Sequence, residues 1–91
     1  MNYSCKKTEN CFTESQTWEY ALPVNGEAFS ALLPADWSIR QNTRLRRPVF
    51  IAEHEGITIK GMLEGQIIRV SFPNESWEEI KHDFEAWLTK A

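Results

Sequence analysis

Residues 57–91, ITIKGMLEGQIIRVSFPNESWEEIKHDFEAWLTKA, decide the fold class. Side chains along a strand alternate between two faces. Ile57, Ile59, Gly61 and Leu63 therefore share one face, with Thr58, Lys60 and Met62 on the other. Past Glu64-Gly65 the alternation resumes, with Ile68, Val70 and Phe72 opposed to Ile67, Arg69 and Ser71. Gly65 at the second turn position predicts a tight two-residue antiparallel hairpin. Pro73 cannot donate to a ladder and Asn74 favours turns, so the second strand stops near Phe72.

Ser76-Trp-Glu-Glu79 then reads as a capping box, Ser76 accepting from the Glu79 N–H and Glu79 reaching back to the Ser76 N–H. Trp77, Ile80, Phe84, Trp87 and Leu88 follow at the three-and-four spacing of one buried helical stripe. Acidic Glu75, Glu78 and Glu79 lie at the start of this helix and Lys90 at its end, as its dipole favours. The stripe requires the helix to dock on the sheet.

Upstream, Trp18, Tyr20, Leu22 and Val24 alternate with Glu19 and Ala21, and Asn25-Gly26 is a strong hairpin signal. Residues 27–33 are expected to form the returning strand, with Phe29, Ala31 and Leu33 on one face. A short helix over Glu27–Leu33 competes, since Ala and Leu favour helices, but seven residues make a poor isolated helix. Pro34-Ala35-Asp36 punctuates the chain, and Trp37-Ser38-Ile39 forms a brief strand or plugs the core. Arg40 to Pro48 reads as an irregular connection, and Val49-Phe50-Ile51-Ala52 as an interior strand. Glu53–Gly56 turns the chain into the tail unit.

The expected fold is α+β: an antiparallel sheet of about five strands, a hairpin plus a three-stranded meander, with one C-terminal amphipathic helix packed on one face. Residues 17–91 form the single domain. Residues 1–16 hold only Tyr3 and Phe12 as large apolar groups, too few to offset the entropy of ordering, and are expected to be a flexible tail. At 91 residues, 42% of them hydrophobic, the chain can bury a core without staples. It has no apolar run of membrane-spanning length, so no membrane role is expected and the default setting is cytoplasmic. Cys5 and Cys11 match neither a redox pair nor half a zinc knuckle, and read as incidental reduced thiols ahead of a disulfide or metal site.

Charge is the functional clue. Arg40, Arg44, Arg46 and Arg47 place +4 in eight residues of a chain whose net charge is −3. Arginine forks suit carboxylate or phosphate, so this loop is the candidate anion-binding site; against that stands a solvated or locally paired loop. A pI near 5.3 argues against nucleic acid. His54 between Glu53 and Glu55 cannot form a converging metal triplet on a strand, and His82 lies on the polar helix face. No catalytic, metal or cofactor motif appears, so no enzyme and no cofactor are expected.

Arg40-Gln-Asn-Thr-Arg44 resembles the RxxxR element of the PilZ family, small barrels with a C-terminal helix that bind cyclic diguanylate. Asn74-Glu75-Ser76 is similar to the first half of that family's second element, (D/N)xSxxG, with Glu79 in place of its glycine. The resemblance implies an anionic-ligand sensor, for a nucleotide or cyclic dinucleotide, using the Arg40–Arg47 loop. The leading expectation is different: a non-enzymatic protein-binding or adaptor domain. One helix covers one sheet face, and Ile67, Met62 and Phe50 suggest that the second face needs a protein partner or a homodimer.

Overall fold

The computed structural model describes residues 1–8, 15–44 and 46–91, with nothing stated of the Ser15 side chain. In chain order the elements are β1 (Ser4–Lys7), β2 (Ser15–Ala21), α1 (Gly26–Leu32), β3 (Ser38–Asn42), β4 (Val49–His54), β5 (Ile57–Met62), β6 (Ile67–Pro73) and α2 (Trp77–Lys90). Among the described residues six strands form one sheet in the order β1-β2-β6-β5-β4-β3. Every described pairing is antiparallel. The α+β reading holds, with six strands in place of five and a second helix.

One face of the sheet is apolar and covered. Tyr20, Phe50, Ala52, Ile59, Val70 and Phe72 are fully buried on it, and Ile68 almost so. α2 supplies Phe84 and Leu88 from the stripe read in the sequence, while Trp77, Ile80 and Trp87 pack at its margins. Phe84 touches Tyr20, Phe72 and Trp87 with ring centroids 5.6, 5.8 and 5.9 Å apart. Each large side chain so buried contributes about 1.5–3 kcal/mol, which holds the 14-residue helix on the sheet.

α1 corrects the expected strand over 27–33. Asn25 is not a hairpin residue but an N-cap, its Oδ1 accepting the Ala28 N–H at 2.9 Å. The Gly26 and Glu27 N–H groups donate to the carbonyls of Gly65 and Leu63 at 2.8 and 3.0 Å, so tertiary partners satisfy the first turn of a very short helix. Phe29 is fully buried, against Phe50 at 6.2 Å and Trp87 at 6.1 Å. No sheet position was left for a strand here, because β2 already lies between β1 and β6.

The expected tail supplies an edge strand instead. Ser4–Lys7 pairs with Trp18–Ala21, Tyr3 packs on Tyr20 at 5.6 Å, and the N-terminal ammonium donates to Thr89 O at 2.6 Å. Backbone pairing and this tether order the segment where apolar content could not. The expectations for Cys11 and Phe12 lie outside the described residues. β3 likewise extends into the supposed irregular connection as far as Asn42. An edge strand held by backbone bonds needs no apolar face, and all five of its residues are exposed.

Two local devices also differ from expectation. The β5–β6 loop takes four residues, not two. Gly65 N–H bonds Met62 O at 3.1 Å, and Leu63 turns into the core with its N–H on Pro48 O at 2.9 Å. Ser76 makes no side-chain cap, because it adopts a left-handed conformation (φ 61°, ψ 24°) that carries its hydroxyl away from the first turn. The tight two-residue turn sits one hairpin earlier, at Glu55 (φ 48°) and Gly56 (φ 85°) between paired His54 and Ile57.

Asn25→Ala is expected to cost about 0.5–2 kcal/mol in urea unfolding, as loss of an N-cap does. Gly26→Ala is expected to cost about 1–3 kcal/mol, because its Cβ would collide with the Met62 carbonyl and press on the Phe50 ring.

Candidate functional site

The four arginines do not form one cluster. Arg40 lies within β3, and its guanidinium donates to Glu53 Oε1 across the strand pair at 2.8 Å, with both side chains largely exposed. Arg44, Arg46 and Arg47 occupy the exposed β3–β4 connection. Arg47 borders a shallow depression of about 200 Å³ shared with Pro48, Met62, Glu64 and Gly65. Asn74 and Ser76, matched to the second element of the PilZ-like pattern, lie past the far end of β6. The β3–β4 connection lies at the opposite end of the sheet, where Val49 pairs with Met62. Seven residues of β6 separate the two ends, about 20 Å of strand. The two halves of the pattern therefore do not meet, and the sheet is open, with β1 and β3 at its edges.

What the register does assemble is a row across the uncovered face. Lys6 pairs with Glu19, Glu19 with Arg69, Arg69 with Lys60, Lys60 with Ile51, and Ile51 with Arg40. Each strand contributes one residue, and four of the six are cations. At about 4.8 Å per strand the row spans about 24 Å. Glu19 is shared between Lys6 and Arg69, 3.6 Å from each. Lys60 has no carboxylate within 4 Å among the described residues, although it stands directly opposite Arg69.

The neighbouring row is apolar: Ala21 pairs with Ile67, and Val49 with Met62. Ile67 and Met62 remain 49% and 41% exposed. Phe50, expected on this side, belongs to the covered face. Shallow depressions lie where the two rows meet, one lined by Lys60, Met62, Ile67 and Arg69 among others. Alternation in the sequence had already placed Lys60 and Met62 together, and Ile67 with Arg69. The signal for the row, which needs the strand order, was absent.

A second polar cluster ties α2 to the sheet. Tyr20 Oη donates to Glu85 Oε2 at 2.8 Å, and Lys81 Nζ reaches the same oxygen at 2.7 Å while lying 4.2 Å from the Trp18 ring centroid. Burial pushes the Tyr20 hydroxyl pKa strongly up, and the adjoining carboxylate adds to it. Burial alone would raise the Glu85 carboxyl, but the bonds from Lys81 and Tyr20 outweigh it and hold it below its ordinary value. Burial also raises the Cys5 thiol, which makes it a poor nucleophile. These groups serve cohesion. His54 stacks on Trp37 at 5.1 Å with Nε2 3.3 Å from Asp36 Oδ2, and His82 is exposed. Among the described residues no group of three metal-binding side chains converges, and no helix is long and apolar enough to cross a membrane.

No protein-family model matches the chain, and neither a curated protein nor a solved structure matches it significantly.

Lys60→Glu is expected to raise stability by about 0.2–1 kcal/mol, because it turns a like-charge cross-strand pair into an attractive one; chemical denaturation measures the gain. Glu85 has a different signature. Its lowered pKa means that its stabilising contribution is present above the ordinary carboxylate range and lost as pH falls through the folded value. Glu85→Gln is therefore expected to destabilise at neutral pH, with the difference from wild type shrinking steadily on acidification.

Proposed function

We propose that the protein is a non-enzymatic binding module whose open sheet face docks a partner protein presenting an apolar ridge beside acidic side chains. The observation that carries this reading is the row Lys6–Glu19–Arg69–Lys60–Ile51–Arg40, in which four cations stand against one carboxylate, lying alongside exposed Ile67 and Met62. Cations directly opposite one another cost stability, and Lys60 against Arg69 is such a pair. An acidic partner removes that cost on binding, while the apolar row supplies the area to be dehydrated.

Charge disfavours a second copy of the chain as the cover. A two-fold face-to-face dimer sets this basic surface against itself. The arginine loop then serves as part of the rim, with Arg47 next to Met62. The reading retains the cytoplasmic setting expected from the sequence.

The test combines capture with purified binding. Wild-type protein and the Ile67→Glu and Lys60→Glu/Arg69→Glu variants are used to capture partners from an extract. Any captured protein is then purified and titrated at several salt concentrations. The expected result is a partner that binds wild type, loses at least about tenfold in affinity to either variant, and weakens as salt rises. Capture of nothing, or a partner indifferent to both variants, overturns the reading. So does a stable dimer in light scattering across micromolar concentrations.

A further inference from the structure

The covered side of the molecule carries a second concavity, unrelated to the open face. A cleft of about 260 Å³ lies between the α1–β3 connection, the β4–β5 turn and α2. Its walls are the rings of Trp37, Trp87 and Phe84 with Ile57 and Ile80, and its polar groups include the carboxylates of Glu55 and Asp83.

The rings are held in place before any ligand arrives. Trp87 is braced by Phe29 at 6.1 Å and Phe84 at 5.9 Å. Trp37 stacks on His54, which is itself tethered to Asp36 at 3.3 Å. Neither Asp83 nor Glu55 makes an ion pair with Lys or Arg among the described residues, and Glu55 Oε2 lies 3.8 Å from His54 Nε2. Lys81, two residues before Asp83, is engaged by Glu85 and Trp18.

Aromatic faces attract a cation through their quadrupole, and carboxylates at the same opening add a field of the same preference. We infer that this cleft binds a small organic cation, an ammonium group carried on a compact apolar body. The apolar body displaces water from Ile57, Ile80 and Phe84, while the charged head lies among Trp37, Trp87, Asp83 and Glu55. A neutral molecule of the same shape gains only the first contribution, and an anion is repelled.

The four tryptophans make the test self-mapping, because each indole N–H gives its own resonance in a nitrogen-edited spectrum. Benzyltrimethylammonium and choline are titrated into the whole protein, with 3,3-dimethyl-1-butanol as the neutral isostere of choline. The expected result is saturable movement of the Trp37 and Trp87 resonances with Trp18 and Trp77 unmoved. Choline is expected to bind about threefold to thirtyfold more tightly than its isostere. Asp83→Asn, an exposed change that leaves the core intact, is expected to weaken choline by about twofold to fivefold and leave the isostere unaffected. Equal affinity for choline and its isostere overturns the inference. So does uniform movement of all four indoles, absence of saturation into the tens of millimolar, or an Asp83→Asn/Glu55→Gln double variant that binds as wild type does. Ile67→Glu on the opposite face is expected to leave this binding unchanged, so its outcome is independent of the partner-docking reading.

Discussion

The pairing of β2 with β6 is the constraint on which the rest of the structure depends. Seven residue pairs, from Ser15 with Pro73 to Ala21 with Ile67, join the N-terminal part of the chain to the C-terminal meander. Tyr20 opposite Ile68 and Trp18 opposite Val70 put the N-terminal aromatics onto the same face as the meander's core. A one-residue slip would send Tyr20 to the open side and bring Glu19 under α2, so burial enforces the register. Once β2 occupies the free edge of β6, the other consequences follow. β1 caps the new edge, the chain between β2 and β3 must cross over the covered face, and α1 forms there.

That crossing explains the seven-residue helix. Its first two N–H groups are satisfied by Gly65 and Leu63, its cap by Asn25, and its one large buried ring by Phe50 and Trp87. Such a helix has little stability of its own, and it exists because the β5–β6 loop and α2 present a complementary surface. The same loop owes its four-residue form to the anchoring of Leu63. Helix, loop and core thus specify one another.

The two sides of the sheet have opposite characters. On the covered side, acidic residues of α2 and the β4–β5 turn frame an aromatic cleft. On the open side, strand order collects cations into a row beside two exposed apolar residues. A net charge of −3 conceals this division. The half-buried ion pair of Lys81 with Glu85, joined by the Tyr20 hydroxyl, belongs to cohesion between the layers, and the groups available to partners lie outside it.

Local chemistry alone determined the tail unit: the face assignments of β5 and β6, the stripe of α2 and the class of fold follow from period two and period 3.6 in residues 57–91. It also marked the excess of arginine between positions 40 and 47. Tertiary structure decided what depends on contacts between distant segments. Asn25-Gly26 suits a hairpin turn and a helix start alike, and the occupied edges of β2 selected the second. Ser4–Lys7 has little apolar content, but the backbone of β2 offered it a ladder. Arg40, Lys60, Arg69 and Lys6 are scattered along the sequence, and a row exists only after five pairings place them side by side. The Trp37–Trp87 cleft likewise draws on three separate segments. Periodicity reports which way a side chain faces on its own element, whereas a site requires knowing which elements are neighbours, and that information resides in the strand order.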